Sequence, residues 1–219
     1  MPKKAKTPWP TKDAMSQIYE LNLWGGETTA FYSGFGSHDP NITTPYLHAI
    51  IGFLKTHNTP LVVCDLGCGD FNIGKHIYPH TKHYTGIDIV ENLIIRNQNT
   101  FKAENLEFAC LDICKAELPN ADCLIIRQVL QHLSTAEILE VAQKITNYKY
   151  IVLTEHLPNG NFIPNKDIIS GQGIRIKKNS GVNLLEAPFF LKIKDQKTID
   201  DYILEHNKGH IVTTLYTLF

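Results

Sequence analysis

The chain has 219 residues, 43% of them hydrophobic and 20% charged, enough to bury the core of one domain and too many for a peptide-sized module. Its 21 Lys and Arg nearly cancel 22 Asp and Glu, so the formal charge of -1 supplies no basic field to hold a phosphate backbone, and no nucleic acid partner is expected. No apolar run reaches the roughly 18 residues of a membrane span, and the opening MPKKAKTPWPTKDAM has Lys and Pro where a signal peptide needs an apolar core, which predicts a cytoplasmic protein with no membrane partner.

In chain order, residues 1–11 are basic and contain Pro, and they predict a flexible tail with order beginning near Asp13. Residues 12–219 read as a single domain. Its first part, 12–58, is a helical cover: Met15, Ile18, Tyr19 and Leu21–Leu23 share a helical period that runs into Trp24-Gly25-Gly26. After a loop carrying Tyr32 and Gly34–Ser37, Thr44 is the expected cap of a second helix with Tyr46, Leu47, Ile50, Ile51 and Leu54 on one face. Short apolar runs then alternate with helical patterns. The runs are Leu61–Cys64, His83–Ile87, Leu106–Cys110, Cys123–Ile126 and Tyr150–Leu153; the helices are Ile73–Tyr78, Asn92–Phe101 and Thr135–Ile145. Continuous apolar strands separated by crossover helices predict an α/β fold with a parallel sheet covered on both faces.

Past Leu157 the period fails, and residues 158–190 form an irregular excursion of a length that compact domains usually reserve for function. Asp200–His206 and His210–Tyr216 flank the turn Asn207-Lys208-Gly209 and predict an antiparallel pair closing the sheet. Cys64, Cys68, Cys110, Cys114 and Cys123 are an odd set embedded in apolar runs, so reduced thiols are expected rather than disulfides or zinc. His76, His80 and His83 have metal-like spacing, but no carboxylate or thiol completes the set, and no metal is expected.

The sharpest motif is Leu61-Val-Val-Cys-Asp65-Leu-Gly67-Cys68-Gly69-Asp70, a buried strand entering a glycine turn and then a helix. Glycine is needed where backbone approaches a ligand closely, and the helix start offers unpaired N–H groups. The next strand ends in Gly86-Ile87-Asp88, nineteen residues past Gly69, where a carboxylate accepts both hydroxyls of a ribose. Asp112 closes the third strand in the same way. Each acid also has a plainer role: Asp65 fixes the glycine turn, and Asp112 ends a strand.

These residues resemble the class I S-adenosylmethionine-dependent methyltransferases over roughly Leu61–Leu157. The resemblance implies a three-layer sandwich around a mostly parallel seven-stranded sheet, a Rossmann-like fold with its last strand antiparallel. Its cofactor would be S-adenosyl-L-methionine, bound by Asp65, Gly67, Cys68 and Gly69 in the first motif, by Asp88 and Ile89 at the ribose, and by Asp112 and Ile113 at the adenine. Arg127, in Ile125-Ile126-Arg127-Gln128-Val129-Leu130-Gln131-His132-Leu133, would lie beneath the methionine moiety. A dinucleotide-binding dehydrogenase is the rival, but it wants a third glycine where Asn72 stands, and Asp70 would face its diphosphate.

Methyl transfer from a sulfonium is an in-line displacement, so the protein chiefly aligns the reactants and excludes water. Where a proton must leave an oxygen or nitrogen acceptor, His132, Glu155 and His156 are the candidate bases. The expected acceptor is a small molecule, held between Trp24 and Tyr32 of the cover and an excursion whose Arg175 would clamp an acidic group. A non-catalytic sensor domain that keeps the nucleoside pocket is the alternative from another class. Nothing in the sequence speaks to the oligomeric state.

Overall fold

The computed structural model describes residues 8–26 and 31–219. Residues 1–7 of the expected tail lie outside the described residues, and residues 8–10 are exposed and irregular. Helix α1 (Thr11–Glu20) starts two residues before the expected Asp13. Helix α2 (Pro40–Lys55) starts earlier than Thr44, because Asp39 is the cap: its carboxylate accepts the N–H of Asn41 at 2.8 Å, and Pro40 occupies the first helical position, where no N–H is needed.

The alternating middle of the chain supplies strands β1 (Val62–Leu66), β2 (His83–Asp88), β3 (Leu106–Cys110), β4 (Cys123–Arg127) and β5 (Tyr150–Leu157). Between them lie α3 (Gly74–Ile77, continued by one tight turn to His80), α4 (Glu91–Thr100) and α5 (Thr135–Lys144). Helix α5 begins in a capping box: Ser134 and Glu137 satisfy each other's backbone N–H groups. The final strands are β6 (Asp195–Ile203) and β7 (His210–Thr217). Together they form one seven-stranded sheet in the order β3-β2-β1-β4-β5-β7-β6, in which β7 alone runs antiparallel to the rest. The turn between β6 and β7 uses left-handed backbone at His206, Asn207 and Gly209.

Strand alternation gives the sheet two apolar faces. On one, Val63, Tyr84, Ile125 and Val152 pack with Tyr46, Ile50 and Leu54 of α2, Ile77 of α3 and Ile94 of α4. On the other, Leu66, Leu124, Ile126 and Leu153 pack with Ile138 and Val141 of α5. The excursion completes this second layer, since Val182 and Leu184, with Leu191 just past its end, belong to the same core. An irregular segment thus takes the place of a crossover helix. No helix among the described residues is long and apolar enough to cross a membrane. Helix α1 crosses the carboxyl edge of the sheet: Tyr19 packs with Val90 and Leu93 at the start of α4, while the Thr11 hydroxyl donates to Glu137 of α5.

Candidate active site

Strand β1 delivers the chain into a turn that only glycine fits at its first position. Gly67 has φ of +79°, and a Cβ there would come within 2.4 Å of Val129. The N–H groups of Gly67 and Cys68 both donate to the Ile87 carbonyl, at 2.7 and 2.8 Å, so the end of β2 supports the turn. Asp88 fastens it further, accepting the N–H of Gly69 at 3.1 Å and that of Val90 at 3.0 Å. Burial pushes its carboxyl up, and these N–H bonds only partly oppose the shift. Asp112, just past β3, accepts the Cys114 N–H at 3.0 Å and the Lys115 ammonium at 2.7 Å. Burial raises its pKa, but those bonds more than offset it, and the group lies below the usual carboxylate range.

These acids line a cavity of about 360 Å³ along the carboxyl edge, within the range of small-molecule sites. Asp65, Gly67, Cys68, Gly69, Asp88, Ile89, Asp112, Ile113 and Arg127 all stand in its wall, as do Trp24, His132 and His156. At its β1–β4 end Asp65 accepts the Tyr84 hydroxyl at 2.7 Å. Burial pushes Asp65 up to about 7, although Tyr84 and Arg127 oppose that shift. Arg127 donates to the Gly36 carbonyl at 2.7 Å and the Ser37 hydroxyl at 3.2 Å, and its guanidinium lies 4.6 Å from the centre of the Tyr46 ring. Its Nε and the Tyr46 hydroxyl, both buried and both in residues of this wall, have no hydrogen-bond partner. Unpaired buried donors cost about 1–3 kcal/mol each, and both atoms lie beneath the cavity surface with almost no accessible area of their own.

The N-terminal cover is fastened over the glycine turn by residues that the motif reading passed over. Ser33 and Asp70 exchange bonds, Ser33 N–H to the carboxylate at 3.0 Å and Asp70 N–H to the hydroxyl at 2.8 Å. His38 Nε2 lies 2.5 Å from the same carboxylate, and the Tyr19 hydroxyl meets Ser33 at 3.0 Å. Asn72, standing where a dinucleotide site wants glycine, donates to the Ser37 carbonyl at 2.8 Å.

Three expectations require correction. Arg175 is not in the cavity: it is 1% exposed and donates to the carbonyls of Lys166, Leu130, Gln131 and Leu133 at 2.8–3.4 Å. Glu155 is 3% exposed and also outside the wall, because successive strand residues point to opposite faces and only His156 of that pair faces the cavity. Burial pushes Glu155 up to about 8. Tyr32 stacks on His38, ring centres 4.2 Å apart, one layer behind the wall. Of the excursion, Gln172 and Ile174 reach the cavity, while Val182 and Leu184 near its end join the core. The wall does contain Gln131, 5% exposed, whose Oε1 accepts the His156 N–H at 3.0 Å. No group of three or more potential metal ligands occurs among the described residues.

Substituting Asp88 by Ala tests the ribose acid. Binding of S-adenosylhomocysteine, followed by calorimetry, is expected to weaken by about 1–3 kcal/mol, roughly 5- to 150-fold. Unchanged affinity removes Asp88 from the site.

Residues 64–148 match the family model described as a methyltransferase domain. No curated protein matches the sequence. Among solved structures, the chain is similar to the N-methyltransferase NodS of Bradyrhizobium japonicum in complex with S-adenosylhomocysteine, with a TM-score of 0.63 and 13% identity over 94% of this chain and 99% of that one. It is similar also to the magnesium protoporphyrin IX methyltransferase of Synechocystis with bound S-adenosylmethionine, at 0.59 and 14% over 98% and 100%. Human N-acetylserotonin methyltransferase in complex with S-adenosylmethionine gives 0.55 and 15% over 96% of this chain and 60% of that one. At these identities the likeness is one of fold.

Proposed function

We propose that this chain, whose residues 64–148 match a methyltransferase-domain model, is a class I S-adenosylmethionine-dependent methyltransferase that transfers a methyl group to oxygen or nitrogen of a small molecule. The cofactor supplies an electrophilic methyl group on a sulfonium. Asp112 and Ile113 would border the adenine, Asp88 would accept the ribose hydroxyls, and Asp65, Arg127 and Tyr46 would receive the amino acid tail. The observation that carries this reading is the convergence of the left-handed Gly67 turn with Asp65, Asp88, Asp112 and the buried Arg127 guanidinium in one cavity wall. The Arg127 guanidinium suits a carboxylate, while the adjacent Asp65 suits an ammonium. With Asp65, Asp70, Asp88 and Asp112 in the wall, a cation is favoured over the diphosphate of a dinucleotide.

The acceptor would sit under Trp24, between His132 and His156. His156 Nε2 lies 2.7 Å from the Lys208 carbonyl, an atom that only accepts, so that nitrogen carries the proton and Nδ1 is left bare. This makes His156 the group to take a proton from the acceptor, whereas Glu155 is on the other face of the sheet. Closure by α1 and by Gln172 and Ile174 favours a small acceptor over a polymer. Two measurements test the reading. Calorimetry should show S-adenosylmethionine and S-adenosylhomocysteine binding and NAD not binding. Turnover, detected as S-adenosylhomocysteine released over a panel of hydroxyl and amine acceptors, separates an enzyme from a sensor that binds without reacting.

A further inference from the structure

One cavity side chain, Gln131, is used by neither the cofactor motif nor the proton transfer. Its amide orientation is fixed. The backbone N–H of His156 only donates, so the amide atom 3.0 Å from it is Oε1. The amide nitrogen therefore faces His132 Nε2, at 3.3 Å. On the far side of that ring, Nδ1 lies 3.1 Å from the Gly171 carbonyl oxygen, which only accepts. A single protonation state satisfies all three contacts, the neutral ring with its hydrogen on Nδ1. The Gly171 N–H returns a bond to the His132 carbonyl at 3.0 Å, and Trp24 covers the ring at 5.1 Å between centres.

On the reading of this cavity as a methyl-transfer site, we infer that Gln131 is a positioning residue: it locks His132 in its neutral Nδ1–H form, making the ring an uncharged wall and leaving proton removal to His156. The lock has a physical purpose. An imidazolium here would share the cavity with a cationic sulfonium, and like charges at such range in a partly dry site repel strongly. The charged group facing the ring from the excursion is Arg175, which also disfavours a second positive charge, and His156 reaches it only through Gln131. Burial holds the His132 pKa down near 4, opposed by hydrogen bonds to the Gly171–Gly173 backbone.

The test is nitrogen NMR of the full chain labelled with 15N-histidine, with His132 assigned from the signals lost in His132→Asn. The unaltered protein should show His132 as a pure Nδ1–H form that does not titrate between about pH 5.5 and 8. In Gln131→Glu the new carboxylate accepts from Nε2 while Nδ1 keeps its bond to Gly171, so His132 should become doubly protonated across the same range. A titrating His132 or an Nε2–H form in the unaltered protein overturns the inference, and so does a neutral His132 in Gln131→Glu; the unaltered spectrum decides alone if that variant does not fold. Binding of S-adenosylhomocysteine to the same sample, measured by calorimetry, tests the methyl-transfer reading separately. Its failure would overturn that reading and not the lock.

Discussion

Replacing Arg127 by Met is expected to weaken S-adenosylhomocysteine by about 100-fold while leaving 5′-deoxy-5′-methylthioadenosine, a nucleoside without the amino acid tail, within about threefold. Arg127 is the permanently charged cation among the described residues of the wall, and it is buried at the end of β4 beside Asp65. On the proposed placement of the amino acid tail, its loss would remove charge-assisted bonds to a carboxylate, worth roughly 3 kcal/mol in a site shielded from water. Tyr46→Phe, which deletes one neutral donor, should cost only about 1 kcal/mol, or about fivefold. The two nucleosides together isolate the cause. Arg127 also holds the loop at Gly36 and Ser37, so a variant that merely loosened the cover would weaken both ligands alike. Equal losses for both would place the carboxylate elsewhere.

The parts of this site that could be read in the sequence are those where chemistry and strand ends coincide. Gly67 stands at a left-handed turn, and Asp88 and Asp112 follow apolar runs, so each announces a strand end, and the structure brings all three to one edge. What escaped depends on direction and on distant partners. Glu155 and His156 are adjacent letters, but the two-residue period of a strand sends them to opposite faces, so only one can serve the cavity. Tyr46 carries the same apolar-face signature as Ile50 and Leu54, and nothing in that pattern shows its hydroxyl reaching the cavity wall. Ser33 and Gln131 have meaning only through Asp70 and His156, 37 and 25 positions away. Arg175 looked like a clamp because it sits in a polar excursion. The same polarity conceals Val182, Leu184 and Leu191, which anchor that segment as a core layer.

Arg175 supports the largest stability effect. Its guanidinium satisfies the carbonyls of Leu130, Gln131 and Leu133 in the turn before α5 and ties them to Lys166 in the excursion. Removing it leaves those carbonyls short of partners and takes away the positive charge that, with the backbone of Leu130 and Gln131, partly offsets the burial of Glu155. Arg175→Met is therefore expected to lose about 3–5 kcal/mol, lowering Tm by roughly 10 °C for a chain of this size. Glu155 contributes to the pH dependence, in the same direction as Asp65. The Glu155 pKa is raised from 4.5 to about 8, so between those values the unfolded chain gives up the proton first, and stability falls as pH rises until it levels off above about 8. Glu155→Gln should thus stabilise the protein by about 2–4 kcal/mol at pH 8 and by almost nothing near pH 4.5, and it should recover part of the Arg175→Met loss only on the alkaline side. Denaturant unfolding at the two pH values, on both single variants and the double, checks the sign. A Glu155→Gln variant that is less stable at pH 8 would mean that the carboxylate is ionised and held by Arg175 in a true buried ion pair.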